Sequence, residues 1–295
     1  MLRKPFLKWA GGKYRLLGKI LQELPAGKRF VEAFAGSCAL YLNVACASAL
    51  VADSNRDLIE LYRHVQEEGA AFVALCQSLF TAENNCRESY LELRAEFNRS
   101  TDSRWRAALL LYLNRHGFNG LVRYNARGDF NVPFGKYVRP YFPRKELEDF
   151  HQRTRELETS FVACDFRELF ARLEPGDLVY CDPPYVPLSA TAKFTSYAGK
   201  AFDMQDQRDL ARLALDAQQR GISLVISNHN TPETRALYAS AELLHFDVQR
   251  YISCKSAKRE RVSELLAIYR QILRGSQATI GRHTASAAPT RQWQI

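Results

Sequence analysis

Neither an export signal nor a membrane span is expected from the sequence. A bilayer span needs about 20 consecutive apolar residues. The most apolar stretch, residues 31–52, is interrupted by Glu32, Gly36, Asn43 and serines, and divides into strand, helix and strand. The N-terminus, Met1-Leu2-Arg3-Lys4-Pro5-Phe6, is basic but has no apolar core of a signal peptide, so none is expected. The seven cysteines are an odd set without C-x-x-C spacing and read as reduced thiols of a cytoplasmic protein. The six histidines show no ligand spacing. His116 and His229 are expected to pack or hydrogen-bond, and no metal is expected. Gly11-Gly12-Lys13 lacks the spacing of a phosphate-binding P-loop, and Tyr14 stands where a hydroxyl residue would hold Mg²⁺, which excludes an NTPase of that kind.

What remains is an ordinary globular composition with one bias. Of 295 residues, 46% are hydrophobic and 25% charged, enough for one or two domains. The formal net charge of +9 favours a polyanionic partner, usually nucleic acid. Residues 29–34 read as a strand, 37–47 as an apolar helix and 48–52 as a second strand ending on Asp53. From 57 to 115 the apolar period is helical almost throughout. Residues 119–143 are rich in Gly, Asn, Pro, Arg and Tyr, with Arg127-Gly128-Asp129 as a hairpin tip. Strands return at 161–164, 178–181, 222–227, 243–249 and 265–269, with a helix at 205–219. The pattern is one α/β domain interrupted by a helical insertion. The segment 273–295 is rich in Ser, Thr, Ala and Gln, lacks periodicity, and is expected to be disordered.

The densest chemistry is Asp182-Pro183-Pro184-Tyr185, placed where a buried strand ends. In open α/β sheets ligands bind beyond the carboxyl ends of strands. The prolines stiffen the backbone and supply carbonyls without a competing N–H. A carboxylate, a bare carbonyl and an aromatic face suit a planar exocyclic amine. Asp182 and the Pro183 carbonyl each accept one N–H, and Tyr185 stacks on the ring.

A second group reads as a nucleotide site. Glu32-Ala33-Phe34-Ala35-Gly36-Ser37 follows the first strand, and Gly36 allows a ligand close to the backbone. Asp53, about twenty residues further on, stands where a carboxylate accepts from ribose hydroxyls, or else caps the following helix. Cys164-Asp165-Phe166 ends a later strand, placed either to hold an adenine amine and stack its ring or to cap a helix. Trp9 and Lys13 fit an aromatic wall and a cation for a ligand carboxylate, or a core tryptophan beside a solvated lysine. Between Asn114 and Arg144 lie six basic residues, at 115, 123, 127, 136, 139 and 144. Arginine presents a two-donor fork to guanine, and an aromatic wedge enters a base step; a solvated charged hairpin is the alternative. An enzyme acting on an adenine amine in duplex DNA must flip the base out, so it needs wedge and phosphate contacts.

At these residues the chain resembles the DNA adenine methyltransferase (Dam) family. The match covers F-L-K-W-A-G-G-K, the surroundings of Asp53-Ser54-Asn55, N-R-x-G-F-N-G-L-x-R-Y-N, F-N-V-P-F-G-x-Y, V-Y-C-D-P-P-Y-x-P-L-S-A-T-A-x-F, S-N-H and V-x-E-L-L-A. The resemblance implies a Rossmann-like class I methyltransferase sheet with an inserted, mainly helical target-recognition domain carrying a β-hairpin. Residues 1–55 and 145–272 would form the catalytic domain and 56–144 the insert. It implies methyl transfer from S-adenosyl-L-methionine to N6 of a flipped adenine in double-stranded GATC, leaving S-adenosyl-L-homocysteine, without metal or covalent intermediate. Trp9, Lys13, Glu32, Phe34, Gly36, Asp53, Asp165, Phe166 and Asp182 would hold the cofactor. Asp182, Pro183 and Tyr185 would hold the adenine, with Lys8 near its pocket. Phe118 would wedge into the duplex, Asn119 and Asn125 would contact DNA, and Leu121, Arg123, Pro133 and Tyr137 would read flanking base pairs, Arg123 on guanine. A monomer working in the cytoplasm at the nucleoid, of phage or host origin, is the corresponding expectation. The same tetrapeptide also serves cytosine N4 methylation, related ones serve glutamine or RNA amines, and an inactive DNA binder is a further class. Four positions depart from the family: Ala33 replaces a proline, Cys38 the second glycine, and Cys254-Lys255 a Ser-Asn pair. The thiol at 38 bears on cofactor affinity.

Overall fold

The computed structural model describes residues 2–186, 202–249, 261–272 and 291–292, which form two compact units. The first contains residues 2–24 and 29–166; the second contains 25–28 and the described residues from 167 onward.

In the first unit, α1 (Leu17–Glu23) precedes the strands β1 (Arg29–Glu32) and β2 (Ser48–Asp53). After the insertion, β3 (Glu158–Ala163) returns beside β2. All three run parallel, with Glu32 opposite Val51 and Asp53 opposite Ala163. Their carboxyl ends therefore share one edge. Phe30, Val31 and Ala49 to Ala52 are buried in succession, the unbroken apolar run of strands covered on both faces.

The insertion consists of α2 (Arg56–Glu68), α3 (Ala70–Ser78), α4 (Arg87–Arg99) and α5 (Ser103–His116), then an open hairpin, and α6 (Arg144–Glu156) leads back to β3. Asn55 caps α2 through Leu58 N–H (3.2 Å), and Leu58, Leu61, Tyr62 and Val65 form its buried face. In α5, Asp102 caps the start and every residue from Ala107 to His116 is buried, so this stretch is covered on every side, polar Asn114, Arg115 and His116 included.

The helix expected over 37–47 is replaced by turns. Gly36 (φ +46°) and Cys38 (φ +58°) both adopt left-handed backbone, which a right-handed helix cannot accommodate. The buried Glu32 carboxylate accepts the Tyr41 N–H at 3.1 Å and supports the turns from within. The helix N-terminus expected beside Gly36 is therefore absent from the described residues.

In the second unit, α7 (Phe166–Ala171) leads from β3 towards β4 (Leu178–Cys181). Then come α8 (Met204–Gln219), β5 (Ser223–His229), α9 (Pro232–Leu237), β6 (Glu242–Gln249) and β7 (Arg261–Tyr269). β4 and β5 are parallel, and β7 is antiparallel to both β5 and β6. Asp203 and Asp206 make a reciprocal capping box that starts α8. Most of 273–295 lies outside the described residues, as do 188–194 and the Cys254-Lys255 pair; Arg291 and Gln292 form a short strand, β8, beside β6. The six described cysteines are free thiols, and no helix among the described residues is long and apolar enough to cross a membrane.

His116 yields a test of this packing. Its ring stacks on Tyr112 (centroids 4.0 Å apart), meets Phe80 edge-on (4.9 Å), and its Nδ1–H donates to Tyr112 O at 3.0 Å. Burial lowers its pKa from 6.5 to about 4. The unfolded chain therefore takes up the proton first, and stability is lost as pH falls from about 6.5 towards about 4. Urea midpoints at pH 7 and pH 5 should show a smaller acid-induced drop in His116→Gln than in the unmodified chain; equal drops would contradict this role.

Candidate functional site

In the first unit the strand ends gather the expected nucleotide residues. Asp53, at the end of β2, accepts from Gly36 N–H (3.1 Å) and Asn55 N–H (2.9 Å). Because Asn55 is the cap of α2, Asp53 is left to fasten the β1 loop. Burial raises the Asp53 pKa, and the two amide donors oppose that shift. The Tyr62 hydroxyl donates to Gly36 O from beneath. A Cβ at Gly36 would lie 2.8 Å from the Trp9 indole Nε1, so loop and indole are in contact. Lys13 is buried and donates to Gly11 O at 2.8 Å. Phe34 and Phe166 have ring centroids 5.6 Å apart. Asp165, exposed just past β3, follows Cys164, whose N–H donates to Asp53 O at 3.1 Å. Cys38 is wholly buried, so its thiol points into the core rather than towards a ligand; burial, with Glu32 adding, raises its pKa.

In the second unit the tetrapeptide is held at almost every polar atom. Tyr180 Oη donates to Ser227 Oγ (3.1 Å), and Ser227 Oγ–H donates to Asp182 Oδ1 (2.9 Å), which fixes the carboxylate. Gln207 Nε2 donates to Pro184 O (2.8 Å). Val186 N–H donates to Asn228 Oδ1 (3.2 Å), and His229 Nδ1–H donates to Val186 O (2.8 Å). Tyr185 meets the His229 ring edge-on (4.7 Å, 78°), and its hydroxyl donates to Glu264 on β7 (3.1 Å). Burial, then the charges of Asp182 and Glu264, keep that phenol protonated. Among the described residues no hydrogen bond is made to the Pro183 carbonyl. A fixed carboxylate followed by an unclaimed carbonyl is an acceptor pair for one exocyclic amine.

The hairpin also lies in the first unit. Tyr124 bridges to Phe130 and Gly117 to Phe134, and Asn125 Oδ1 accepts from Arg127 and Asp129 N–H (both 2.9 Å) to close the tip. Phe118 is 47% exposed. Asn119, Arg123 and Pro133 are also exposed, and Leu121, Asn125 and Tyr137 half-buried. Arg123 is steadied by Asn131 Oδ1 at 2.7 Å. Arg115, in the same basic run, is instead buried and donates to Phe6 O, so it adds no surface charge. Lys8 places its Nζ 3.9 Å from the centre of the Tyr137 ring, and burial, then Arg115, lowers its pKa.

The D12 class N6 adenine-specific DNA methyltransferase family matches residues 9–252. The chain belongs to that family. It is 46% identical over 268 residues to the DNA adenine methylase of Vibrio cholerae, covering 90% of this chain and 96% of that one. It is equally similar to the DNA adenine methylase of Escherichia coli, covering 90% and 95%. The Serratia marcescens DNA adenine methylase is 46% identical over 269 residues, covering 90% and 98%. Membership makes the chain a Dam-type adenine DNA methyltransferase, with the Rossmann-like α/β fold that the resemblance implied.

Such an enzyme takes its methyl group from S-adenosyl-L-methionine, and the first unit fits that group chemically. Asp53 offers a partly buried carboxylate, and Trp9 an indole face packed on the Gly36 loop. Of the supports, sequence reading yields S-N-H as a matched block and His229 as a hydrogen-bonding residue, which the structure bears out; it assigns no role to the others. Ser227, Asn228 and His229 end a strand that is buried throughout, and three polar residues in such a strand were the available signal. Gln207 and Glu264 gave none, since each meets the motif only through the fold. Gly36→Ala would force a Cβ into Trp9 at a left-handed position, and should weaken S-adenosyl-L-methionine binding at least tenfold, about 1.4 kcal/mol. Gly18→Ala, with no atom within 4 Å, should leave it unchanged. Calorimetry checks both; equal affinities in the two variants would contradict the assignment.

Proposed function

We propose that this enzyme methylates N6 of adenine in double-stranded GATC, acting as a monomer on a base flipped out of the duplex. The observation that carries the reading is the clamped Asp182 carboxylate beside the unclaimed Pro183 carbonyl. Adenine N6 is a poor nucleophile because its lone pair is delocalised into the ring. With Asp182 and Pro183 O each accepting one N–H, the nitrogen is drawn towards tetrahedral geometry and the lone pair localises. Bound S-adenosyl-L-methionine supplies an electrophilic methyl group. Tyr185 stacks on the base, its plane fixed by His229 and Glu264. Asp182 is the nearest base in the motif to take the proton that the methylated nitrogen sheds. The contribution of these residues is positioning and electrostatics, with no covalent intermediate.

We read Trp9, Lys13, Glu32, Phe34, Gly36, Asp53, Asp165, Phe166 and Asp182 as the cofactor set. Residues 56–144 serve as the target-recognition insert between catalytic segments 1–55 and 145–272. Phe118 wedges into the duplex, supported by its exposure. Arg123 reads guanine, with Asn119, Leu121, Asn125, Pro133 and Tyr137 contacting flanking positions and Lys8 near the target base.

Purified enzyme with labelled S-adenosyl-L-methionine should methylate a GATC duplex and leave one altered at its guanine nearly unlabelled, since a lost bidentate arginine contact costs roughly 1–3 kcal/mol. Asp182→Ala should abolish transfer and keep duplex affinity within about threefold, because phosphate contacts dominate affinity. Equal rates in wild type and Asp182→Ala would overturn the catalytic assignment.

A further inference from the structure

Asn114, near the end of α5, has a side chain with no solvent exposure. A buried amide must satisfy its donors and acceptor or cost about 1–3 kcal/mol for each group left unpaired. Here Oδ1 accepts from Lys8 N–H (2.9 Å), and Nδ2 donates to Lys8 O (2.8 Å) and Gly120 O (2.8 Å). One side chain thus takes both backbone groups of Lys8 and ties them to a turn more than a hundred residues away in sequence.

That turn is Phe118-Asn119-Gly120. Gly120 is buried with φ +65°, and a Cβ there would collide with the Lys8 side chain, so the turn packs directly on that side chain. Phe118 and Asn119, immediately before it, are exposed. A second tie closes the circuit: the Lys8 ammonium sits over the Tyr137 ring, and Tyr137 Oη accepts from Asn119 N–H at 3.1 Å. Arg115, beside Asn114, holds Phe6 O from the same helix. On the other side of Lys8, Trp9 packs on the Gly36 loop.

We propose that Asn114 is a positioning residue that sets the register between the Lys8–Trp9 segment and the turn presenting Phe118 and Asn119, so that duplex wedging and capture of the target base occur together. The inference rests on the function proposed above. Loss of Asn114 should uncouple wedging from base capture without removing cofactor or phosphate contacts.

The test uses full-length protein with S-adenosyl-L-methionine and a GATC duplex carrying 2-aminopurine at the target position, whose fluorescence rises on flipping. Per folded molecule, Asn114→Ala should bind duplex and cofactor within about threefold of wild type, since phosphate contacts dominate affinity. The fluorescence rise, and kcat measured on the unmodified GATC duplex because 2-aminopurine has no N6 amine, should both fall at least about tenfold, or 1.4 kcal/mol. Gly120→Ala, which pushes on Lys8 from the other side, should reproduce the phenotype, and the double variant should be no worse than either single. Wild-type flipping and kcat in folded Asn114→Ala, or additive losses in the double variant, would overturn the proposal. If Asn114→Ala does not fold, Asn114→Asp keeps the acceptor for Lys8 N–H and removes the donation to Gly120 O, and the same two readouts decide. If wild-type protein itself neither flips nor methylates GATC, the functional reading fails, and hydrogen exchange then judges the tie separately: the Lys8 amide should be protected in wild type and released in Asn114→Ala, and equal protection would overturn it.

Discussion

The buried polar end of β5 is the constraint on which the catalytic motif depends. Ser227, Asn228 and His229 lie in a strand with no exposed residue, and each would be costly there without a partner. Their partners are Asp182 and the backbone of Val186, with Gln207 completing the set from α8. Satisfying the core therefore fixes the motif, and the prolines remove backbone donors that would compete for its carbonyls. Stability and chemistry are served by the same hydrogen bonds. Among the described residues this network leaves the Pro183 carbonyl unclaimed, which is the acceptor the proposed reaction would use.

The first unit works by a related device. Its strands end together, and the loops beyond them are fastened by backbone amides to Asp53 rather than by a helix start. Cys38 holds left-handed backbone where glycine would be easier, at a cost of order 1–3 kcal/mol. Its burial beside Tyr62 and Glu32 offsets part of that cost and keeps the thiol off the surface. The departure from the family pattern is therefore a matter of packing.

Much of this was legible in the sequence because it is local. Strands β1, β2 and β4 and helix α8 appear where the apolar runs and helical period place them, to within a few residues. The motif declared itself through residue types that are chemically demanding at adjacent positions. The stretch 37–47 misled because its apolar spacing mimics a helix, while positive φ at Gly36 and Cys38 is set by tertiary contacts with Asp53, Trp9 and Tyr62. Arg115 reads as surface charge, yet α5 is buried on every side and carries it inward. Glu264 and Gln207 could not be assigned at all, since the strand order and helix docking that bring them to Tyr185 and Pro184 are not encoded near them.

The central claim is that one acceptor pair prepares one adenine amine in one DNA sequence. The most direct measurement is a base-resolution map of N6-methyladenine on an unmethylated plasmid after exhaustive treatment with purified protein and S-adenosyl-L-methionine, with total methylated nucleosides counted by mass spectrometry. The account predicts methyladenine at every GATC on both strands, little elsewhere, and no N4-methylcytosine. Methyladenine scattered without regard to sequence, or methyl groups found on cytosine, would contradict it.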